Sequence, residues 1–331
     1  MLSTFTAARE SLREQGFAVV RKLMNAEAEA FDEIEQIVVA DLMRHGLTDG
    51  ALGVYGQPRY VPVPDGDSSA GLDLCEINRS EQVEAMFHSR DVLDLVAHLL
   101  GLDSVDMIFI HPIKLVRGLP PTASDLHNPA GVHQDYPELQ GSTRQLTMWI
   151  PLFPVAGDSG GLPIYPISRR RLLPLILADN PSGWQVDPNY LGDAVTPGLT
   201  RGDALIFSTF TPHGGAVNRG DGWRFSVECR FQPIGDPIAE TNLKPFASTS
   251  WDLHYRGWDR YSHYWRHRQP PSVPFDHSWE RWRDVTALQE AQRGNLHARV
   301  GLEISSQFGT DPEIVRAAES VLREWEEMGW L

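Results

Sequence analysis

Gly131-Val132-His133-Gln134-Asp135 is the stretch on which the rest of this chain turns. Side chains two residues apart on an extended strand point to the same side, so His133 and Asp135 can offer an imidazole and a carboxylate to one metal ion. His-x-Asp alone is a weak signal, because 12 histidines among 44 acidic residues yield roughly one such pair by chance. What strengthens it lies downstream. Gly202-Asp-Ala-Leu-Ile-Phe207 is an apolar run with a turn before it, and it is followed by Thr211-Pro212-His213-Gly214-Gly215 and Trp223-Arg224-Phe225-Ser226-Val227. One carboxylate and two imidazoles on adjacent strands form a facial triad, which leaves three positions of an iron(II) ion open.

Taken together and in this order, the motifs resemble those of the phytanoyl-CoA dioxygenase-like branch of the Fe(II)/2-oxoglutarate oxygenases, over residues 5 to 233. His133-Gln134-Asp135 is similar to the family's His-Gln-Asp pair, and Trp149-Ile-Pro-Leu152 to its Trp-x-x-Leu strand. Asp158-Ser-Gly-Gly-Leu-Pro-Ile-Tyr-Pro-Ile-Ser168 is similar to its Asn-Gly-x-Leu-x-x-x-Pro-Gly-Ser turn and strand. Gly202-Asp203 through His213-Gly214, then Asn218 and Arg224, follow its closing motif. Two positions depart from the pattern: Ile167 stands before Ser168 where a glycine is usual, and Gly215 replaces a serine whose hydroxyl can touch the cosubstrate.

The resemblance implies that His133, Asp135 and His213 hold Fe(II), with 2-oxoglutarate and O2 as cosubstrates. It assigns the distal carboxylate of 2-oxoglutarate to Arg224, whose planar fork suits a buried carboxylate. Trp149 becomes an apolar wall beside the cosubstrate, Asn218 holds the turn next to it, and Lys114 faces the cosubstrate from a neighbouring strand. Halogenating relatives have Gly or Ala in place of Asp135, so hydroxylation, cyclisation, desaturation or epoxidation is the implied outcome.

Composition narrows the class further. At 331 residues the chain can bury a sizeable core as one barrel with additions. A formal charge of −15 argues against a nucleic-acid partner, which calls for a basic face, and fits neutral or cationic ligands. Cys75 and Cys229 are far apart and read as buried free thiols. No apolar run reaches the ~20 residues of a membrane span and the first residues do not read as a secretory leader, so the expected address is the cytoplasm.

Along the chain, helical composition over Thr4 to Gln15 gives way at Gly16 to a strand, Phe17 to Val20, and then to an amphipathic helix over Asn25 to His45. Residues 50 to 71, rich in Gly and Pro, read as irregular. A helix over Ser89 to Leu100 precedes a long strand, Val105 to Val116, and a loop, Gly118 to Ala130, in which His127 is a loop residue. Strand runs follow at Leu146 to Phe153, Gly161 to Pro166, Asp203 to Ser208 and Arg224 to Phe231. Between them lie the basic triplet Arg169 to Arg171, which borders the family's pocket, and an insertion over Leu172 to Gly198. The expected fold is mainly β with flanking helices: a double-stranded β-helix, or jelly-roll, cupin-like barrel over 1–233, with a largely helical C-terminal extension over 234–331.

That extension carries Trp251, Trp258 and Trp265 at a spacing of seven, with Trp279, Trp282 and several tyrosines nearby. Such aromatics dock the extension on the barrel, build a homodimer interface, or stack on sugars and cationic groups. Its last helix begins at a capping box, Thr310-Asp-Pro-Glu313. His263 and His267 have helical spacing but no third ligand, and read as structural. The charge and the aromatics favour a hydrophilic, sugar- or amine-bearing small molecule, as in natural-product tailoring, over an acyl-CoA. Two other readings stay open: a non-catalytic jelly-roll that binds a small molecule or metal, and a metal-dependent isomerase that consumes no oxygen.

Overall fold

The computed structural model describes residues 2–24, 28–62, 79–121, 131–168, 170–180, 182–245, 250–262 and 264–330. Helix α1 (Leu2–Gln15) stops at Gly16, where φ is +80° and an added Cβ would lie 2.7 Å from Thr211 Oγ1. Only glycine combines that backbone with so close an approach. Strand β1 (Phe17–Val20) follows, then α2 (Ala28–Arg44), α3 (Glu81–Phe87) and α4 (Arg90–Leu100). The sequence reading passes over α3, a short helix whose first turn is capped by Ser80. Next come β2 (Ile108–Leu119), the short helix α5 (Tyr136–Leu139), β3 (Leu146–Pro151), β4 (Leu175–Leu177), β5 (Trp184–Val186), β6 (Ala204–Ser208) and β7 (Arg224–Pro233).

Five of these strands form one antiparallel sheet in the order β1-β6-β3-β7-β2. Alternation along the strands gives the sheet two unlike faces. Phe225, Val227, Cys229 and Phe231 of β7 join Met148, Ile150, Ala204 and Ile206 in a core covered by α1, α2, α3 and α4. The opposite face presents Trp149, Leu205, Phe207 and Phe17, packed with Val155, Ile164 and Leu199 in a second cluster. This inner cluster is closed by single bridges, Ile164 to Val195 and to His213, Val155 to Leu199, and His133 to His213. The jelly-roll therefore has one regular sheet and one irregular layer.

Beyond β7 lie α6 (Trp251–His254), α7 (Tyr264–His267), α8 (Ser278–Gln292), α9 (Arg299–Phe308) and α10 (Pro312–Glu327). The tryptophans at spacing seven are not on one helix, yet they meet: Trp251 stacks on Trp265 at 5.2 Å and Trp258 lies 6.2 Å from the same ring. With Tyr255 they pack on Phe109 of β2. Helix α10 is capped by Asp311, which accepts from Glu313 N at 3.0 Å, with Pro312 in the first turn; the cap is thus one residue later than the expected Thr310 box. Helices α8, α9 and α10 share a core with Leu177 of β4, and Trp184 of β5 meets Trp279 edge-on. No described helix is long and apolar enough to cross a membrane. Cys229 is a buried free thiol, pushed up to about 12 by burial, whereas Cys75 lies outside the described residues.

Candidate metal centre

His133 pairs with His213 backbone to backbone, at 2.8 Å and 2.9 Å, so the two imidazoles are neighbours with ring centroids 4.4 Å apart. Asp135 does not continue the strand. At φ −67° and ψ −28° it has already turned into α5, whose first residue it precedes, and it still brings its carboxylate back to the histidines. Gln134 points the other way, where its amide donates to the Arg171 and Phe210 carbonyls at 2.8 Å and 2.5 Å and accepts from Leu173 N at 2.8 Å. The central residue of the motif thereby ties the ligand segment to the insertion.

Each imidazole is oriented through its other nitrogen. His133 Nδ1 lies 2.8 Å from the Gly131 carbonyl and His213 Nδ1 lies 3.0 Å from that of Thr211. Donation to a carbonyl fixes the proton on Nδ1 and leaves Nε2 as a bare donor, the state a metal requires. Asp135 Oδ1 is 3.7 Å from His133 Nε2 and 3.5 Å from His213 Nε2, and the three donor atoms all lie within 4.8 Å of one another. Facial ligands at about 2.1 Å from an ion would stand about 3 Å apart, so the side chains need only small adjustments to close on one. His133 keeps 22% of its side chain exposed, while Asp135 and His213 are 4% exposed.

The charge state suits the same role. Burial by itself would raise Asp135, but Arg230, the two imidazoles and the Thr147 hydroxyl outweigh it and hold the carboxyl below its ordinary range. Burial lowers His213 to about 4, helped by His133 and opposed by Asp135, which keeps the ring neutral. A carboxylate and neutral imidazoles are what an Fe(II) ion binds.

Other expected residues fall into two groups. Trp149 and Arg224 share the inner face, with the guanidinium carbon 5.8 Å from the indole ring and Arg224 Nη1 donating to Ser226 Oγ at 2.7 Å. Asn218 is fully buried and spends its amide on the Leu119 and Gly222 carbonyls, both at 2.9 Å, while its oxygen accepts from Gly220 N at 3.0 Å. It holds the turn and has no donor left for a cosubstrate.

Lys114 is a correction. Its register partner is Cys229, so it projects from the helix-covered face, away from the triad. There it pairs with Glu84, donates to the His111 carbonyl at 3.0 Å and lies 4.4 Å over the Trp265 ring. A cosubstrate inside the barrel is beyond its reach. The aromatic extension also departs from one expectation, because Trp251, Tyr255, Trp258 and Trp265 pack on each other and on β2 instead of lining the triad. His127, Arg169 and His263 lie outside the described residues.

Sequence reasoning missed the residues that support the triad: Thr147, Glu228 and Arg230. Thr147 Oγ1 donates to Asp135 Oδ2 at 2.7 Å, and Arg230 Nη2 stands 3.1 Å from Glu228 Oε1 and 3.5 Å from Asp135 Oδ2. The signal was present. In Arg224-Phe-Ser-Val-Glu-Cys-Arg-Phe-Gln232 every second residue is polar, and that polar set faces inward with Arg224.

The sequence profile of the phytanoyl-CoA dioxygenase family (PhyH) matches residues 12–226, a span that contains the triad, Trp149 and Arg224. The chain belongs to this family. It is thus an Fe(II)- and 2-oxoglutarate-dependent oxygenase by membership, and residues 227–331 lie past the matched span. Among solved structures, the epimerase SnoN in complex with Fe3+, alpha ketoglutarate and nogalamycin RO has a TM-score of 0.51 at 18% identity, covering 72% of this chain and 87% of that one. The non-heme monooxygenase ThoJ gives a TM-score of 0.48 at 20% identity over 69% of this chain and 78% of its own. EvdO2 from Micromonospora carbonacea var. aurantiaca, complexed with 2-oxoglutarate, gives 0.46 at 20% identity over 69% and 90%. The likeness to SnoN speaks to the oxygenase's fold. A comparison with curated proteins finds no match.

Proposed function

We propose that this oxygenase oxidises a hydrophilic, sugar- or amine-bearing natural product, by hydroxylation or by oxidative cyclisation or desaturation. The observation that carries the reading is a triad and an arginine on one buried surface: His133, Asp135 and His213 at one end of the inner face, Arg224 at the other, with Trp149 between strands β6 and β7. When bound, Fe(II) would activate O2, the oxidant, with 2-oxoglutarate as the co-reductant that ends as succinate and CO2.

The chain's own residues set the stage for that chemistry. His133, Asp135 and His213 would hold the metal from one side, which would leave positions open for the oxo acid and for oxygen. Arg224, 8% exposed, would receive the distal carboxylate, and Ser226, which accepts from its Nη1 at 2.7 Å, steadies the guanidinium. Trp149 and Phe207, both buried, keep water from the inner surface.

The substrate class rests on charge. A chain of −15 repels a polyanionic CoA thioester at long range and draws cationic or neutral molecules. SnoN, whose fold this chain shares, is described with nogalamycin RO bound, and a natural product is the kind of molecule proposed here. The extension, 234–331, is proposed as a unit that docks on the barrel and fixes its rim rather than as the surface that stacks on substrate.

The test is a panel of aminated sugars, glycosylated natural products and acyl-CoAs, scored for succinate formation and oxygen uptake, with product masses read by mass spectrometry. Turnover with sugar- or amine-bearing compounds is expected. Stimulation by acyl-CoAs alone would overturn the substrate class, and metal binding without succinate from any compound would favour a non-catalytic binder.

A further inference from the structure

The two oxygens of Asp135 have different surroundings. Oδ1 faces the histidine Nε2 atoms at 3.5 Å and 3.7 Å. Oδ2 turns away, to the Thr147 hydroxyl at 2.7 Å and Arg230 Nη2 at 3.5 Å. Arg230 is 6% exposed, is braced by Glu228 at 3.1 Å, and keeps Nε and Nη1 buried without a hydrogen-bond partner. Burying a guanidinium with two unmatched nitrogens, which carry three N–H groups, is expensive, and an apolar residue of similar volume is often as stable or more so. Packing therefore gives no reason for an arginine here, whereas the carboxylate it contacts does.

We propose that Arg230 is a positioning residue for the metal centre. With Thr147 it holds the outer oxygen of Asp135, so that the carboxylate meets the metal through Oδ1 alone. The geometry matters because a facial triad has three positions to offer: a chelating oxo acid takes two, and oxygen needs the third. A carboxylate that swung round to bind through both oxygens would occupy that last position. Glu228 keeps the guanidinium on station, and its place two residues before Arg230 on β7 puts both on the inner face.

The proposal rests on the triad as the metal site, and the experiment separates the two. Co(II) is titrated anaerobically into the full-length wild type, His213→Ala, Arg230→Met, Arg230→Lys, Thr147→Val and Lys114→Met, with affinity and the visible ligand-field bands recorded and folding checked by circular dichroism. Arg230→Met is expected to weaken Co(II) by roughly ten- to a hundredfold and to shift the bands. Thr147→Val should shift the same bands by less, and Arg230→Lys should recover part of the affinity. Lys114→Met, which removes a buried cation from the opposite face, should leave affinity and bands as in the wild type. A folded Arg230→Met with wild-type affinity and bands overturns the proposal. If that variant does not fold, wild-type crystals grown with Co(II) decide: Asp135 bound through Oδ1 alone, with Oδ2 on Thr147 and Arg230, is expected, and a bidentate Asp135 overturns it. Equal binding by wild type and His213→Ala would instead sink the metal-site reading.

Discussion

Arg230 and Lys114 are buried cations set back to back on one sheet, and they differ in how completely they are enclosed. Lys114 is matched on every side, by Glu84, the His111 carbonyl and the Trp265 ring, and it joins α3, β2 and the aromatic cluster. Arg230 is matched on one edge only and touches the Asp135 carboxylate with it. A closed pair is architecture, and a half-closed one beside a ligand is machinery. Both side chains are almost fully buried, so this difference in surroundings is what distinguishes them.

The largest effect that would sharpen the contrast is loss of the metal. His133→Ala and His213→Ala should each abolish Fe(II) binding and substrate-dependent succinate formation, as read by anaerobic titration and product assay, while thermal stability of the metal-free protein stays close to wild type. Full iron occupancy with retained turnover in either variant would remove the inner face's claim to chemistry.

Next comes the outer face. Lys114→Met strands the fully buried Glu84 carboxylate and should cost about 3–5 kcal/mol in chemical denaturation. Adding Glu84→Gln should recover part of that loss. If Lys114→Met instead raised the 2-oxoglutarate requirement in a stable protein, the two faces would not be as separate as their register indicates.

Arg224→Ala should raise the 2-oxoglutarate requirement by about 10²-fold, equivalent to ~3 kcal/mol, without changing Fe(II) affinity. An unchanged dissociation constant would place the distal carboxylate elsewhere.

The last effect is one of pH. Burial lowers His111 to about 3 and His213 to about 4, against an unfolded value of about 6.5. Both stay neutral in the native protein while the unfolded chain takes up protons. Their contribution to stability is thus complete above pH ~6.5 and is lost as pH falls toward 4 and then 3. Melting temperatures of the metal-free protein should decline across that window, and His111→Gln should flatten the lower part of the curve. A flat profile would mean that neither ring is buried neutral.

Much of this was legible in the chain. That His133, Asp135 and His213 come together, and that Arg224 and Trp149 share the inner face with them, was readable from motifs with a set residue type and spacing. Lys114 was misplaced by analogy although alternation had the answer: it shares parity with Ile108, Ile110 and Val116, which belong to the apolar face, and the irregularity between Ile110 and Lys114 preserves that parity. Arg230 and Glu228 were overlooked on a strand whose two-residue rhythm displays them. Docking of the tryptophans on the barrel was among the readings the sequence offered, but their mutual contacts were out of reach, since these form across turns between α6 and α7 and no local period encodes them. Asp135 leaving the strand was likewise hidden, because nothing in His-x-Asp specifies the backbone after the histidine.

The hairpin of β4 and β5 has a consequence for how this protein can be rebuilt. Val186 N donates to the Val132 carbonyl at 2.7 Å, one residue from His133, while Trp184 meets Trp279 of α8 and Leu177 shares the core of the C-terminal helices. The ligand segment, the hairpin and the tail are therefore connected in series, like links under one tension. A barrel cut out at Pro233, or exchanged for a relative's, would keep the hairpin's bond to Val132 but strip Trp184 and Leu177 of their partners in the tail. In chimaeras the smallest unit that can be moved intact is the barrel together with its tail.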